Sequence, residues 1–351
     1  MSRKEKTDLE ATPQRLSGAP SLATLSAYLG LSAAAISRVL NGAPAAKSIP
    51  PATQERIFAA ARAFNYRPNV LARSLRRGHS MTVGVLVPEI SEGYATLVLA
   101  GLEEGLLEAG YAFFLCSHHH RAEVIGSSQR MLSERAVDGI VAIDTVLDGA
   151  CLLPMVTVSC PVGNGVTTDI VLDHDRAAEL ALDHLVGLGH REIAFIKGQA
   201  FSSDTATRWN AICETAERLG LGMPPELQTE LIGDAPNHEP GYEATRRLLA
   251  KGGRFTALFA FNDVSAIGAV RALREAGLRV PEDVSVVGFD DVQSAAFQHP
   301  ALTTVRQPLH DMGMLAANAI VAQVTSGKAA EGRRIVVEPE LLVRESTVRR
   351  G

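Results

Sequence analysis

Polar side chains stand at the ends of several short apolar runs in this sequence. Asp144 follows GIVAI, Asn262 follows TALFAF, and Asp290 closes VSVVGFD. Ligands of parallel sheets bind at the carboxyl ends of the strands, where a carboxylate and an amide could together hold adjacent hydroxyl groups. The alternative use is structural, because Asp and Asn at such places commonly cap the following helix. Neither of these two uses involves the cleavage of a bond.

Patterns typical of catalysis or metal binding are weak or missing. His118-His119-His120 could hold a divalent metal, but three consecutive histidines cannot all face one ion without strain. A solvated loop is therefore favoured for them, with ligand contact as the alternative. Gly163-x-Gly165 lacks the third glycine of a dinucleotide-binding fingerprint, and no G-x-S-x-G, H-E-x-x-H or Walker A motif occurs. We expect no enzyme, no metal site and no cofactor.

The cysteines and the hydropathy pattern indicate a cytoplasmic protein. Cys116, Cys151, Cys160 and Cys213 form no C-x-x-C pair and lack the dense spacing of a disulfide scaffold. They are expected to be small apolar core residues. No apolar stretch approaches the roughly 20 residues that a membrane span requires, so no membrane partner is expected.

The residues after Ser21 have the pattern of a helix-turn-helix. Leu22, Leu25 and Leu29 fall at helical spacing, and Gly30 ends that helix. A second helix is expected from Ala33 to Leu40, after an N-cap at Ser32. Its outward side chains are expected to be Ala33, Ala34, Ser37 and Arg38. Such a unit lays its second helix in the major groove of DNA, where an Arg can reach a guanine or a phosphate. A helical hairpin without any nucleic-acid role is the alternative.

Charge separates this basic segment from the rest of the chain. Of the 351 residues, positions 1–79 hold 12 Lys+Arg and 4 Asp+Glu, a net charge of +8, whereas positions 80–351 hold 22 and 35, a net charge of −13. A basic module joined to an acidic body suggests that the first part meets a polyanion. Residues 1–20 lack apolar periodicity and are expected to form a disordered basic tail.

After Met81, short β-rich runs alternate with amphipathic helical stretches. The runs are MTVGVLV, YAFFLCS, GIVAI, MVTVS, EIAFIKG, TALFAF and VSVVGFD, and the helical stretches are 94–109, 175–188, 207–219 and 263–276. This rhythm is typical of parallel sheets covered by helices on both faces, and its length predicts two doubly wound units. The expected ligand site is the cleft between them.

Three N-terminal stretches, LATLSAYLGLSAAAISRVLN, TQERIFAAARAFNYRPN and VLARSLRRG, closely resemble the DNA-binding headpiece and hinge of the lac repressor family of bacterial transcription regulators. The resemblance implies a hinge helix in the minor groove, where Leu75 wedges between base pairs and kinks the duplex. Arg73 and Arg76 would bind phosphate beside it. Asn41 and Asn69 complete the expected set of DNA-binding residues, together with Ser32, Ala33, Ala34, Ser37 and Arg38.

Two departures from the family pattern concern the headpiece. The connection from Asn41 to Thr53, where a third helix (Thr53 to Phe64) is expected to begin, looks longer than in the best-known members. Ala33 and Ala34 stand where relatives often carry larger, hydrogen-bonding base readers. Alanine can touch a thymine methyl group but cannot donate or accept, so discrimination is expected to depend on Arg38, Ser37 and DNA deformation.

The resemblance continues through HLVGLGHREIAFIKG, TALFAFNDVSAIGAVRALREAGLRVPEDVSVVGFDD and HPALTTVRQPLHDMG, which look like the family's effector-binding core, itself similar to periplasmic sugar-binding proteins. It implies two subdomains, discontinuous in sequence and joined by three crossovers. It also implies that Arg208 contacts the ligand and that Tyr94 forms an aromatic or apolar wall.

The cleft departs from better-known members at two places. Ala235-Pro236 stand where the family often has a stacking Phe or Trp, and Ser159 replaces an acid found in some sugar-responsive members. An aromatic face could come instead from Trp209, Phe201 or Tyr94. These departures leave the identity of the effector open.

Together these features predict a ligand-responsive repressor of sugar or related catabolic genes that binds a pseudo-palindromic operator. The expected domains are a helix-turn-helix domain at 21–68, a hinge helix at 69–79 and an effector-binding and dimerisation core at 80–347. A homodimer is favoured, because no apolar heptads follow the last strand-like run. A solute-binding protein of the same core fold is the alternative, but it predicts a signal peptide and no helix-turn-helix. A nucleotide- or sugar-modifying α/β enzyme would need a catalytic constellation.

Overall fold

The computed structural model describes residues 20–67, 78–91, 93–147, 153–160, 162, 167–326 and 332–350. The chain divides into two compact units between Ser80 and Met81. Several positions singled out above lie outside the described residues, and what was expected of them stays a prediction. They are residues 1–19, Asn69, Arg73, Leu75, Arg76, Cys151, Gly163 and Gly165.

The first unit contains the expected helix-turn-helix, formed by α1 (Leu22–Leu29) and α2 (Ala33–Leu40). Gly30 ends α1 with φ +66°, a conformation that glycine adopts without steric cost. Ser32 caps α2 because its side chain accepts a hydrogen bond from the Ala35 amide at 3.2 Å. The sequence prediction is confirmed at both helices.

A third helix, α3 (Pro51–Ala63), completes the first unit and begins two residues earlier than the sequence pattern indicated. Pro50 and Pro51 suit its first positions, which need no amide donor. The longer connection before it holds a short 3-10 helix, Pro44–Ser48, and Gln54 fastens this turn by donating to the carbonyls of Ala46 and Ile49. The core of the unit consists of Leu25, Leu29, Ile36, Val39, Ala46, Ile57 and Ala60.

The second unit is built on two six-stranded sheets. In chain order its strands are β1 (Thr82–Val87), β2 (Ala112–Ser117), β3 (Gly139–Ile143), β4 (Met155–Val158), β5 (Thr168–Leu172), β6 (Ile193–Lys197), β7 (Gln228–Glu230), β8 (Ala257–Ala260), β9 (Ser285–Asp290), β10 (Thr303–Arg306), β11 (Arg334–Val337) and β12 (Glu340–Leu342). The first sheet has the order β2-β1-β3-β4-β5-β11 and is parallel throughout. The second has the order β7-β6-β8-β9-β10-β12, and only the β10–β12 pairing is antiparallel.

Helices cover these sheets, as expected for doubly wound units. They are α4 (Tyr94–Glu108), α5 (Ala122–Glu134), α6 (His174–Gly187), α7 (Thr205–Arg218), α8 (Glu239–Ala250), α9 (Asp263–Glu275), α10 (Gln293–Phe297) and α11 (Leu309–Ser326). No single helix among the described residues is long and apolar enough to cross a membrane; α1 and α2 pass only as a pair, bent by 110°.

The chain passes between the two sheets three times, so each sheet is formed by segments that are discontinuous in sequence. The crossovers lie at Asp173, at 307–308 and at 338–339. The second crossover returns α11 to the first sheet, where it packs closely on α4. A Cβ atom at Gly101 would overlap the His310 carbonyl oxygen, so this approach requires glycine.

Candidate functional site

The candidate ligand site is a cavity where strand ends of both sheets meet. Tyr94, Asp144, Asn262 and Asp290, four of the five residues expected there, line it. Residues at or directly after the ends of β3, β4 and β9 have positive φ angles, namely Asp144 at +41°, Ser159 at +65° and Asp290 at +104°. Such backbone conformations cost about 1–3 kcal/mol each in a non-glycine residue, and they cluster at functional sites.

A set of hydrogen bonds joins the two subdomains across the cleft, and we call Asp144, Ser159 and Ser203 the cross-cleft bridge. Ser203, in the loop between β6 and α7, donates its amide to Asp144 Oδ1 at 2.9 Å. Its Oγ lies 2.5 Å from Asp144 Oδ1 and 2.7 Å from the Ser159 carbonyl oxygen, so its single proton can serve either acceptor. Tyr94 supports the bridge from the side by donating to Ser159 Oγ at 2.5 Å. The sequence held no signal for Ser203.

Asn262 has the structural use that was considered for it, and its position also permits the ligand contact. It caps α9, since its Oδ1 accepts from the Ser265 amide at 2.9 Å, and it also lines the cavity. Because the Oδ1 of Asn262 is used by the cap, its Nδ2 group is the part of the side chain that can donate to a ligand.

Asp144 and Asp290, two of the aspartates that line the cavity, are held in an environment that opposes their ionisation. Burial, followed by the nearby charge of Asp204, raises the pKa of Asp144 to about 6, although the Ser203 hydrogen bonds act against this shift. Burial raises the pKa of Asp290 to about 7, against the opposing effects of Arg208 and of Gln307. Desolvation of a carboxylate is the main cause in both cases.

Arg208 is the one expected contact residue that is not part of the cavity lining. It is 4% exposed, its Nη1 donates to the Phe261 carbonyl at 2.6 Å, and its guanidinium lies 3.7 Å from the centre of the Phe289 ring. Asp204, which was not among the residues expected at the site, places its Oδ2 3.5 Å from Arg208 Nη2. Arg208 therefore supports the wall of the cleft. Although it is outside the cavity lining, its positive charge acts to lower the pKa of Asp290.

The expectation of a solvated histidine loop is wrong for His118. This residue is 1% exposed, because its amide bonds to the Val87 carbonyl and continues the edge of the first sheet. Its Nε2 lies 2.8 Å from Thr145 Oγ1, and burial lowers its pKa to about 4. His120 lines the cavity, which agrees with the alternative of ligand contact.

Two of the three possible aromatic walls line the cavity. Tyr94 and Phe201 do so, and the Phe201 ring contacts His120 with centroids 3.9 Å apart and the ring planes inclined by 32°. Trp209 packs against Phe195 instead. Ala235 and Pro236 also line the cavity and supply no aromatic face, so Tyr94 and Phe201 are the two expected rings that do.

The candidate DNA-binding face lies on α2 in the first unit. Ala33, Ala34 and Arg38 are exposed, while Ile36 and Val39 are buried on the opposite side. Ser37 is partly buried, and Asn41 donates to its carbonyl at 2.7 Å and to its Oγ at 3.2 Å. Arg38 is therefore the long polar side chain that α2 presents to solvent.

Comparisons with known proteins agree with both parts of this architecture. A family profile described as periplasmic binding protein-like domain matches residues 182–347. The HTH-type transcriptional repressor PurR of Haemophilus influenzae strain PittEE is 32% identical over 328 residues, which covers 90% of this chain and 95% of that protein. PurR of Erwinia tasmaniensis is also 32% identical, over 90% of this chain and 94% of its own length.

Solved structures give the same result. A transcriptional regulator, CelR, in complex with cellobiose is 29% identical with a TM-score of 0.70, covering 93% of this chain and 99% of that one. The lac repressor dimer bound to operator and the anti-inducer ONPF has a TM-score of 0.83 at 24% identity, covers 94% and 100% of the two chains, and shows the shared fold. Because a repressor 32% identical matches nine-tenths of this sequence, the chain belongs to the LacI family of transcription regulators.

Proposed function

We propose that this protein is a cytoplasmic, dimeric repressor that binds a pseudo-palindromic operator and responds to a small molecule in the cleft, without catalysing a reaction. The observation that carries the proposal is that one chain combines a three-helix unit with an exposed α2 face and a polar cleft at strand ends. A solute-binding protein would share the second unit but has no use for the first. The similarity to PurR repressors over 90% of the chain supports the same choice.

On the DNA side, we propose that α2 enters the major groove and that Arg38 supplies its main specific contact. Ala33 and Ala34 at the start of α2 permit close approach to the base edges but cannot hydrogen-bond to them. Asn41 donates a hydrogen bond to Ser37, so either side chain would have to give up this bond in order to contact a base. Leu75 in the hinge is proposed to widen and kink the minor groove, which makes part of the specificity a matter of DNA deformability.

On the ligand side, we propose a hydroxyl-bearing effector held by Asp290, Asn262 and Asp144. Carboxylates accept hydrogen bonds from hydroxyl groups, and the Asn262 amide can donate to them. The cellobiose bound to the related CelR protein supports a saccharide-like effector. The effector would act by favouring one arrangement of the two subdomains, and its influence on operator affinity would equal the difference in its binding to the two arrangements.

The proposal is tested by selecting operator sequences from random duplexes with the full-length protein. We expect enrichment of an inverted repeat whose half-sites match the two α2 helices of a dimer. Failure to enrich any sequence, or enrichment of an asymmetric single site, would contradict the proposed dimeric repressor.

Leu75→Ala is expected to weaken binding to the selected operator and to reduce the DNA bend, because an alanine cannot unstack a base step. Circular-permutation gel shifts measure the bend, and fluorescence anisotropy measures the affinity. Leu71→Ala, a leucine truncation in the same segment, is the matched control. An unchanged bend in the Leu75 variant would remove Leu75 from the wedge role.

Ser203→Ala removes one arm of the cross-cleft bridge and keeps the amide bond to Asp144. A hydroxyl bond of this kind contributes about 1 kcal/mol, so the equilibrium constant between the bridged and unbridged arrangements is expected to fall about fivefold. Small-angle scattering of the unliganded protein should show a larger radius of gyration. Ser127→Ala, which removes an exposed hydroxyl on α5, should change nothing; equal scattering from both variants would show that the bridge does not hold the subdomains together.

A further inference from the structure

The ionisable side chains that line the cleft are mainly acidic. Among the described residues of its lining, Glu89, Asp144, Asp234 and Asp290 carry carboxyl groups, and none is a lysine or an arginine. Asp204 adds a fifth carboxylate close behind, near enough to raise the pKa of both Asp144 and Asp290. A phosphate or carboxylate ligand would be repelled by these negative charges, and it would find no lysine or arginine in the described lining to bind it.

The basic side chains nearby already have partners. Arg208 is buried, bonds to the Phe261 carbonyl, pairs with Asp204 at 3.5 Å and stacks on Phe289. His120 pairs with Glu89 at 3.3 Å. The amino ends of α4 and α9 also open onto the cavity, and each contributes about half a positive charge. The five carboxyl groups still outnumber Arg208, His120 and the two helix amino ends taken together.

A buried acceptor beside Asp290 points to a missing donor. Gln307, 2% exposed, donates its Nε2 to Asp290 Oδ1 at 2.6 Å. Its Oε1 is buried and has no hydrogen-bond partner among the described residues. An unpaired buried acceptor is unfavourable, and because Gln307 lies directly behind Asp290, donors that a ligand brings to Asp290 suit this side of the cleft.

We propose that the effector is a cationic, hydroxyl-bearing molecule of the amino sugar class, whose ammonium group binds at Asp290 and Asp144 while its hydroxyl groups bind Asn262 and the neighbouring polar groups. An ammonium supplies three donors and one positive charge, which matches the excess of carboxyl groups in the lining. Electrostatic complementarity of this kind sets specificity, because a like-charged competitor is repelled. This inference rests on the proposed function of the cleft as the effector site.

The test uses full-length protein and sets of matched ligands at millimolar concentration. D-glucosamine, D-galactosamine and D-mannosamine are each compared with the parent hexose, the N-acetyl derivative and the hexose 6-phosphate, by thermal shift and calorimetry. At least one amino sugar is expected to bind at least about tenfold more tightly than its uncharged counterparts, and no 6-phosphate is expected to bind. Equal or tighter binding of a parent hexose, binding of a 6-phosphate, or no binding by any member of the panel would overturn the inference.

A charge-removing variant separates the ammonium contact from ring recognition. Asp290→Asn keeps the shape of the side chain and is expected to lose the preference for the amino sugar over its parent hexose, whereas Glu217→Gln, an exposed acid on α7, is expected to keep it. An unchanged preference in Asp290→Asn would overturn the assignment. If Asp290→Asn does not fold, the comparison of amino and N-acetyl sugars on the unmodified protein decides the matter.

The same preparation is also assayed for binding to the selected operator without ligand. A protein that binds operator but prefers neutral hexoses contradicts only the inference on effector class. A protein that binds no operator contradicts the proposed function itself.

Discussion

Replacing Arg38 by alanine is expected to weaken operator binding by about 1–3 kcal/mol, which is roughly 5- to 150-fold, and to relax the base preference at one position of each half-site. The physical reason is the composition of α2. Its exposed face offers Ala33 and Ala34, which form no hydrogen bonds to bases, and Arg38, which can bind a guanine through two donors. Titration of a fluorescent operator and of its single-base variants measures both effects.

Arg62→Ala is the matched control for Arg38→Ala. Arg62 is an exposed arginine near the end of α3, so its removal takes the same charge from the headpiece without changing α2. It is expected to lower affinity for operator and random DNA equally and to leave base preference unchanged. If Arg38→Ala also reduces binding equally on every sequence, Arg38 contacts a phosphate and specificity comes from the hinge and DNA shape.

The headpiece could be predicted from sequence because its structure is set by local signals. Gly30 and Ser32 mark the end of one helix and the start of the next, and both positions behave as expected. The start of α3 was missed by two residues, because the pattern of apolar residues carries no information on the turn that Gln54 stabilises.

In the core, the long apolar strands were predictable and the short polar ones were not. TVGVLV and SVVGFD are buried along most of their length, so their composition alone indicates strands. In contrast, β7 has three residues and β10 reads TTVR, and both depend on pairing with an existing sheet. Likewise α11 lies on α4 through close contacts at Gly313, which only the tertiary structure creates.

The residues of the candidate site also fall into a group that could be predicted from sequence and a group that could not. Asp144, Asn262 and Asp290 were predicted because residues at strand ends of a doubly wound sheet face the ligand edge. Ser203 and Gln307 were not, because the first is brought to Asp144 by the packing of two subdomains and the second lies in a crossover. Ser203 and Asp144 are 59 residues apart, and the spacing of residues in the sequence cannot predict a contact over that distance.

Asp290→Ala is expected to abolish the effector response while operator affinity without effector stays close to that of the unmodified protein. Losing a charge-assisted hydrogen bond in a desolvated site costs about 1.5–3 kcal/mol, which is more than tenfold in effector affinity. The variant is expected to fold. A carboxyl whose pKa is raised from 3.8 to about 7 in the native state destabilises the fold progressively as pH rises through that interval, so its removal takes away an unfavourable charge at pH 8. Effector titrations of preformed protein–operator complexes measure the response.

Arg208→Ala should behave differently, although the family resemblance places both residues at the ligand. Removing the guanidinium leaves the Phe261 carbonyl without its donor and Asp204 without its arginine partner, and breaking a buried ion pair typically costs about 3–5 kcal/mol. A lower melting temperature is therefore expected for Arg208→Ala and not for Asp290→Ala. Glu217→Ala, an exposed acid on α7, serves as the control for charge removal alone. A full effector response in Asp290→Ala would show that the effector binds elsewhere, because no rearrangement of the cleft can replace a carboxylate at the end of β9 with an alanine methyl group.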